Sequence, residues 1–228
     1  MRITNGIVAS MVTVALAVGA GALADAAAPV ADAATVACGG ACMAIGPEEY
    51  GLSYVTAVSG GAVTGQGIHL AKAAESASED FMLRNEGTVA ALYKDGLIGA
   101  SLRFSWPSDE VYEYVYAPDG VASSLCVGVA STATQGAPVS LQPCGSSPRV
   151  LWIALSADSI GGFEPLINGS DANDRDPYVL TAGRWASGLT VEQLVLTDGM
   201  AATSQIWASW AGVYYPSRQG ATPVPTRR

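Results

Sequence analysis

Residues 126–145 decide the fold of this chain, and they read Cys-Val-Gly-Val-Ala-Ser-Thr-Ala-Thr-Gln-Gly-Ala-Pro-Val-Ser-Leu-Gln-Pro-Cys-Gly. Two short β-type runs flank a turn that contains glycine, and a cysteine begins the first run and ends the second. Side chains alternate along a strand, so Val139 and Leu141 share one face. Trp152 follows after a polar turn and can return on the next strand to the same core. The stretch therefore predicts a β unit with one apolar face.

The pattern of this unit occurs three times along the chain. Each copy has an apolar residue, any residue and Leu, followed eleven residues later by an aromatic; the copies are Ile68-x-Leu70 with Phe81, Val139-x-Leu141 with Trp152, and Leu194-x-Leu196 with Trp207. A unit of about 50 residues cannot bury its own apolar face, so we expect three units to share one core. The Leu-to-Leu spacings of 71 and 55 residues predict an insertion in the first unit, near Asp95-Gly96.

The remaining sequence between these copies is typical of short strands and turns. Asp95-Gly96 lies between two apolar runs and predicts a β-hairpin. Further short β-type runs are Tyr54-Val55, residues 68–70, 125–129, 139–141, 178–180 and 194–196. The chain is predicted to be all-β.

The middle unit resembles one repeat of the ricin B-chain family, the ricin-type β-trefoil lectin domains. In that family a repeat runs Cys-Leu-Asp-Val, a Gly turn, an apolar-x-Leu strand that ends in Cys, and then Gln-x-Trp. Residues 205–207 supply Gln-Ile-Trp, and residues 79–81 hold Glu-Asp-Phe in the corresponding place. The resemblance covers roughly residues 50–215. It implies a single β-trefoil with three pseudo-repeats and a disulfide between Cys126 and Cys144.

The positions that bind sugar in this family are degenerate in this chain. The family uses an Asp as acceptor, an aromatic after the apolar-x-Leu strand as a stacking platform, and an Asn before the Trp. Those places hold Gly128, Gln142 and Arg149 in the middle unit, Ala57, Ala71 and Ser78 in the first, and Thr181, Thr197 and Ser204 in the third. A sugar held by directional hydrogen bonds needs acceptors and an apolar face together. The resemblance thus implies a trefoil that has lost the standard sugar pocket.

The N-terminus predicts export. Arg2 precedes an apolar run from Ile7 to Ala24, and small residues at Ala22 and Ala24 complete the order of a cleavable signal peptide. The alternative is a membrane anchor, but no basic stop-transfer cluster follows the run. We therefore expect a signal peptide over residues 1–24, a flexible lead-in over 25–49, the trefoil over 50–215 and a disordered tail over 216–228. Cleavage after a site near residue 33 is also compatible with the sequence.

The charge and the cysteines agree with a secreted, extracellular protein. Loss of Arg2 with the leader changes the net charge from −9 to −10, so nucleic acid and anionic membranes are poor partners. No later run is long enough to span a membrane. Four cysteines in an oxidising compartment predict two disulfides, and three pairings are open from the sequence alone. Cys38 and Cys42 are close enough in sequence to bridge locally.

Five aromatic residues are candidates for ligand binding. Strand alternation places Tyr112, Tyr114 and Tyr116 on one face, where they could stack on a sugar or meet a protein, or else cover the core. Trp185 and Trp210 lie outside the repeated aromatic positions and are similar candidates. Phe81, Trp152 and Trp207 are expected in the core instead.

The chain lacks the patterns of known catalytic, metal or cofactor sites. No nucleophile elbow, P-loop, dinucleotide fingerprint or zinc motif occurs, and His69 is the single histidine. The acidic loop of residues 169–176 departs from an EF-hand, and residues 168–170 form a glycosylation sequon. We expect no cofactor, no metal and no catalysis.

The sequence supports two main hypotheses. The first is a secreted, non-catalytic β-trefoil module that binds a glycan or polysaccharide through a non-standard surface. The second is an extracellular trefoil that has lost sugar binding and interacts with proteins or serves a structural role. A small secreted hydrolase is a third reading, which two carboxylates facing each other in a cleft would favour.

Overall fold

The structure is a computed structural model, and it describes residues 42–74, 76–145, 147–156, 162–172, 175–183 and 188–211. The strands in these residues are β1 (Cys42–Pro47), β2 (Tyr54–Val58), β3 (Ile68–Lys72), β4 (Phe81–Thr88), β5 (Glu110–Tyr116), β6 (Leu125–Val129), β7 (Ala137–Pro143), β8 (Trp152–Ala154), β9 (Glu164–Asn168), β10 (Tyr178–Thr181), β11 (Thr190–Gln193), β12 (Leu196–Thr197), β13 (Met200–Ala201) and β14 (Ile206–Ala211). Two short helices, α1 (Val89–Lys94) and α2 (Ala100–Ser105), lie between β4 and β5.

Six strands close into a barrel. They pair antiparallel around a ring in the order β1, β4, β5, β8, β9 and β14, and β14 pairs again with β1. The pairs β2–β3, β6–β7 and β10–β11 are hairpins. Each hairpin also meets the other two, through β11–β7 and through the isolated bridges of Gly67 with Ser140 and of His69 with Gly188. Three successive four-strand units that build one barrel and one hairpin triplet make a β-trefoil, which confirms the predicted fold.

The strand registers give the pseudo-threefold correspondence between the units. The first strand of each unit pairs with its fourth strand through Met43↔Phe81, Tyr112↔Trp152 and Glu164↔Trp207. The three aromatic partners are buried in one core, as predicted. Trp152 Nε1 donates to the Val127 carbonyl at 2.9 Å, and Trp207 Nε1 donates to that of Leu180 at 2.8 Å. The two indoles therefore tie their strands to the neighbouring hairpins.

The third copy of the sequence pattern was assigned to the wrong residues. Val191 pairs with Leu180 as Leu141 pairs with Val127, so Leu189-x-Val191 is the true copy. Leu196 instead lies in the small hairpin β12–β13 and is 53% exposed. This hairpin is an insertion before Trp207, and it happened to restore the eleven-residue spacing. The residue at the third platform position is consequently Glu192 rather than Thr197.

Asp95-Gly96 does not form the predicted β-hairpin; it connects α1 to α2. Thr88 caps α1, since its side chain accepts a hydrogen bond from the Ala91 amide at 3.3 Å. Gly96 has a φ of 75°, which ends the helix in the left-handed region. The residues before Asp95 are good helix formers, and burial of the helix pair decides the outcome. The insertion itself lies where the repeat spacing predicted it.

The inserted helices pack on the outer face of the barrel. A second apolar cluster unites residues of α1, α2 and their connection with outward-facing residues of the strands: Val89, Leu92, Ile98 and Leu102 with Val111, Leu151, Ile153, Leu155, Ile167 and Val179. This cluster explains why the insertion is helical, because a helix can present Val89, Leu92 and their neighbours to one surface.

The trefoil begins earlier than predicted. Strand β1 starts at Cys42, within the segment expected to be a flexible lead-in, and it pairs with both β14 and β4. Ala44 and Ile45 are buried there although the segment is rich in small residues. Without β1 the barrel would lack its sixth strand. The predicted signal peptide, residues 25–41 of the lead-in, and the tail lie outside the described residues.

The predicted disulfide between Cys126 and Cys144 is present. Cys42 is also disulfide-bonded, and Cys38 lies outside the described residues. Beside the first bridge, Glu113 is buried and its carboxylate pairs with Arg84 and accepts a hydrogen bond from the Gly145 amide at 3.0 Å. The two sulfurs and Glu113 are close together, but sulfurs joined in a disulfide are not thiolate ligands for a metal.

Candidate functional site

The position of the family's sugar-binding Asp is closed in the middle unit. A Cβ atom on Gly128 would lie 2.7 Å from the Arg149 carbonyl oxygen and 2.8 Å from Val150 Cγ1. The corresponding residues of the other units, Ala57 and Thr181, are buried in their hairpins. No described unit joins a carboxylate to an aromatic platform at these positions.

The three tyrosines of β5 do not form an exposed aromatic face. Tyr114 and Tyr116 are buried in the central core, and Tyr112 packs against it while keeping part of its surface accessible. Tyr116 also contacts the ring of Phe81 with centroids 5.7 Å apart. The alternation predicted their shared face correctly, but that face points into the barrel. Tyr114 and Tyr116 therefore belong to the core, and Tyr112 is the one of the three that keeps a substantial exposed surface.

The side chains of the two tryptophan candidates, Trp185 and Trp210, lie outside the part of the chain that the structure describes. Trp185 lies outside the described residues. Trp210 pairs with Ala44 through the backbone of β14, and its side chain lies outside the description. Both residues stay predictions.

The open end of the barrel is the strongest candidate site. The first strand of each unit runs towards the hairpins and the fourth runs away from them, so β1, β5 and β9 begin at the end that lacks hairpins. The registers make Met43, Tyr112 and Glu164 equivalent around the axis at this end. Glu164 shares its strand face with Leu166, which is buried in the central core. Two units thus contribute apolar or aromatic side chains here, while the third contributes a carboxylate.

The environment of Glu164 disfavours its charge. Burial raises the pKa of this carboxyl, and the nearby negative charges of Glu110 and Asp109 raise it further. Among the residues that the structure describes, no group donates a hydrogen bond to Glu164 and no cation pairs with it. A half-buried carboxylate without a partner is costly, which is typical of functional sites.

Two tyrosines stand beside this carboxylate. The Tyr112 hydroxyl donates to Glu110, whose Oε2 also accepts from Asn85 Nδ2 at 3.3 Å. Burial raises the pKa of Tyr112, with help from Glu110, and burial followed by the charge of Glu164 raises that of Tyr114. Tyr114 is 5% exposed and packs in the central core. The open end of the barrel therefore combines acidic side chains with the aromatic edge of Tyr112. We call Asp109, Glu110, Tyr112, Tyr114 and Glu164 the mouth site.

The mouth site could not be read from the sequence pattern. Glu164 falls outside every motif, and only the barrel register brings β9 to the far side of β8 from β5. A weak indication existed, because Glu164 takes the alternation face of Leu166 and so is a polar residue at an inward position.

Replacing Glu164 by glutamine is expected to stabilise the protein near pH 7. The raised pKa means that folding disfavours the charged form, so stability from this group is full below about pH 4.3 and is lost as pH rises through the folded pKa. Glu164→Gln should raise the Tm by about 1–3 °C at pH 7 and leave it unchanged at pH 4. Calorimetry at both pH values measures this.

The matched control for that substitution is Glu192→Gln. Glu192 is partly exposed on β11, where its carboxylate accepts from Thr190 Oγ1 at 3.2 Å. Its replacement should not raise the Tm at pH 7. A fall in the Tm of Glu164→Gln at pH 7 would show that the carboxylate makes stabilising contacts, contrary to the geometry.

A concavity lies between the inserted helices and the middle unit. It measures about 580 Å³ and is lined by the start of α2, residues 147–149 and residues 169–172. Arg149 brings its charge there, but its Nη1 already donates to the Ala130 carbonyl at 2.6 Å. The lining lacks an aromatic side chain, so we regard this groove as the weaker candidate.

The sequon and the acidic loop have structural roles. Asn168 is buried, its Nδ2 donates to the Arg149 carbonyl at 3.0 Å, and its Oδ1 accepts from Ser170 Oγ at 2.6 Å. A glycan on this nitrogen is incompatible with the fold. Asp171 is likewise buried and accepts from the Tyr178 amide, which fixes the start of β10.

The fold defines the class of protein as a β-trefoil. No protein-family description matches the chain, and no curated protein matches it. Among solved structures, the designed threefold-symmetric protein ThreeFoil is similar with a TM-score of 0.51 and 13% identity, covering 74% of this chain and 97% of that chain.

Two larger proteins contain a similar region. A mosquitocidal holotoxin matches with a TM-score of 0.51 and 11% identity, over 75% of this chain and 17% of its own. An exo-β-1,3-galactanase from Clostridium thermocellum matches with a TM-score of 0.51 and 13% identity, over 75% of this chain and 30% of its own. The chain thus spans a small part of both proteins, and the likeness concerns the fold. In the described residues, no helix has the length and apolar character needed to cross a membrane.

Proposed function

We propose that this protein is an exported carbohydrate-binding module that holds its ligand at the mouth site and catalyses no reaction. The observation that carries the proposal is the combination of Glu164, Glu110 and Tyr112 at the open end of the barrel. Carboxylates accept hydrogen bonds from sugar hydroxyls, and an aromatic edge beside them covers the apolar part of a sugar. A region of this fold within a protein named as a galactanase supports a sugar ligand.

Export rests on the sequence of the N-terminus and on the disulfide. The apolar run to Ala24 after a single cation has the form of a cleavable leader. A disulfide such as Cys126–Cys144 persists in oxidising compartments. Expression with the leader, followed by sequencing of the N-terminus of the protein in the medium, tests this part. Retention of the whole chain in the cell would contradict it.

A glycan array followed by titration calorimetry tests the binding function. The wild-type protein should bind at least one class of oligosaccharide, and Glu110→Gln should weaken that binding about tenfold, because a charged acceptor is lost. Glu110 is exposed, so the fold tolerates the change. Glu49→Gln, which replaces an exposed carboxylate outside the mouth site and outside the family's sugar positions, is the control and should bind like the wild type. Absence of binding to any glycan, with an intact circular dichroism spectrum, would refute the carbohydrate-binding function.

An interaction with another protein is the second candidate, and the hairpin β12–β13 favours it. Val195, Leu196 and Met200 are all more than half exposed there. An apolar tip of this kind is typical of contact surfaces.

Hydrolysis is tested with the same oligosaccharides. A glycosidase needs Glu110 and Glu164 to act as a pair, and release of new reducing ends would support that activity. The Tyr112 and Asn85 bonds to Glu110 favour a fixed acceptor instead.

A further inference from the structure

The groove between the inserted helices and the middle unit is a preformed concavity. Its volume of about 580 Å³ falls within the range of about 300–1,000 Å³ that is usual for small-molecule sites. Ser101 Oγ of α2 donates to the Ala172 carbonyl at 3.0 Å, so a hydrogen bond ties one wall of the groove to the other. Ser170, in the same loop as Ala172, accepts a hydrogen bond from the Ala133 amide at 2.9 Å. Contacts within the protein therefore set the shape of the groove before any ligand binds.

Close packing at Gly169 fixes the loop that forms one of these walls. A Cβ atom on Gly169 would lie 2.9 Å from the Pro148 carbonyl oxygen and 3.0 Å from Leu151 Cβ, so the two segments approach each other at a distance that glycine permits. Asp171, the acidic residue of the lining, is 3% exposed, and its carboxylate accepts from the Tyr178 amide. This carboxylate is thus committed to the fold and is covered from solvent.

The cationic group of the groove is Arg149. Its Nε donates to Ser147 Oγ at 3.3 Å, and its Nη1 donates to the Ala130 carbonyl at 2.6 Å. Ser147 lines the groove as well, so these two bonds hold the guanidinium at that wall. A guanidinium has five N–H donors, and these contacts use two of them. In the part of the chain that the structure describes, no carboxylate forms an ion pair with Arg149, whereas Arg84 pairs with two glutamates.

A guanidinium held in this way favours a carboxylate as its ligand. Its planar fork matches the two oxygens of a carboxylate, and the bonds to the protein reduce the entropy that is lost on binding. A phosphate group carries about two negative charges, so it meets stronger repulsion from a chain whose net charge is −9. The described lining also carries the hydroxyl groups of Ser101, Thr132 and Ser170 and lacks an aromatic side chain. The rest of the ligand is therefore expected to be polar and to carry hydroxyl groups.

We propose that this groove is a second carbohydrate site, which binds an acidic saccharide by pairing the carboxylate of a uronic acid residue with Arg149. The inference rests on the carbohydrate-binding function proposed above for the nature of its ligand, but the groove shares no residue with the mouth site. It also differs from the standard pocket of the family, because its lining contains neither Gly128 nor Gln142. The carboxylates of the mouth site repel an acidic saccharide, so the two sites select different ligands.

Titration calorimetry of the protein at pH 7 with two matched disaccharides tests the proposal. The ligands are glucuronosyl-β-1,4-glucose and cellobiose, in which a hydroxymethyl group replaces the carboxylate. The acidic disaccharide should bind about tenfold more tightly, because charge-assisted hydrogen bonds are stronger than neutral ones. Arg149→Gln should weaken its binding about tenfold and remove the preference over cellobiose. Lys72→Gln removes an exposed positive charge outside the groove, and as the matched control it should leave both affinities unchanged.

A steric variant tests the groove independently of its charge. Gly99 lines the groove with a φ of −70°, which every L-residue can adopt, and a Cβ atom there meets no atom within 4 Å. Gly99→Leu should therefore fold, occupy space in the groove and weaken binding of the acidic disaccharide about tenfold. Gly61→Leu, at a glycine outside the lining whose Cβ also meets no atom within 4 Å, should bind like the wild type. Circular dichroism of both variants checks the fold.

The outcomes separate this groove from the mouth site. Binding of the acidic disaccharide that Arg149→Gln and Gly99→Leu weaken, and Glu110→Gln does not, supports the proposal even where no neutral glycan binds. Equal affinity for the two disaccharides, weakened by Glu110→Gln alone, would overturn the proposal and leave carbohydrate binding at the mouth site intact. Acetate that competes as strongly as the disaccharide would overturn the assignment of a saccharide to the groove. Absence of binding of the acidic disaccharide to the folded wild type would overturn the proposal as well.

Discussion

Replacement of Gly128 by alanine is expected to lower the free energy of unfolding by about 2–3 kcal/mol. The new Cβ would lie 2.7 Å from the Arg149 carbonyl oxygen, which is backbone and cannot rotate away. Strand β6 would have to move away from residues 149–150, and Trp152 is bonded to the neighbouring carbonyl of Val127. Urea denaturation followed by tryptophan fluorescence measures the loss.

Gly61→Ala is the matched control for this substitution. A Cβ on Gly61 meets no atom within 4 Å, so its replacement should change stability by less than about 0.5 kcal/mol. Gly128→Asp should destabilise more than Gly128→Ala, since the same Cβ then carries a carboxylate into a buried position. If Gly128→Asp instead folds normally and binds a neutral sugar, the middle unit retains a usable standard pocket and the mouth site loses its main argument.

The middle unit, which contains Gly128, is the part of the fold that could be predicted best from the sequence. The pairing of Cys126 with Cys144 and the burial of Trp152 were predicted from one well-kept repeat. The degenerate first repeat was also placed correctly, because Phe81 keeps an aromatic at the core position. These predictions rest on local patterns. Each pattern describes one strand face or one loop of fixed length, and residues close in sequence determine both.

The third repeat could not be placed correctly from spacing alone. Leu189-x-Val191 and Leu194-x-Leu196 are both apolar-x-apolar stretches, five residues apart, and only the second ends in Leu and fits the expected distance to Trp207. Only pairing with β10 distinguishes the buried strand from the exposed hairpin. Similarly, Asp95-Gly96 is a strong turn signal in isolation. The residues on either side of it form helices rather than strands because the helices cover an apolar surface on the barrel.

The candidate site depended on long-range register rather than on any local pattern. Tyr112 and Tyr114 were identified as a pair on one face, but the sequence could not tell whether this face met solvent or the barrel interior. Glu164 was not identified, because its relation to Tyr112 is a consequence of the pseudo-threefold axis. The axis makes Met43, Tyr112 and Glu164 equivalent, and the departure from symmetry at Glu164 is what creates a site.

The closed standard positions and the mouth site lie at opposite ends of the same barrel, so the closure of the first does not affect the second. The standard pockets require residues on the hairpins, where Gly128 is packed against the backbone. The mouth lies at the opposite end of the barrel, where strands begin and end and side chains such as Tyr112 are only partly covered. An unpaired carboxylate there lowers stability, and this cost is why the proposed function gives Glu164 a role in ligand binding.

Arg84→Met is expected to lower the free energy of unfolding by about 3 kcal/mol, because it leaves a buried charge without its partner. Glu113 is 1% exposed, whereas Arg84 is 48% exposed, so the carboxylate bears most of the burial. Its remaining described hydrogen bond comes from the Gly145 amide, next to Cys144.

The double substitution Arg84→Met and Glu113→Gln tests that assignment. It removes the charge but keeps an acceptor for Gly145, and it should therefore recover most of the loss. Chemical denaturation of the wild type, both single variants and the double variant gives the coupling energy. If the double variant is as unstable as Arg84→Met alone, the cost lies in the lost packing of the arginine stem across β4 and β5. Recovery would instead establish that one exposed arginine permits a carboxylate to remain buried beside the disulfide, and so anchors the loop that the disulfide closes.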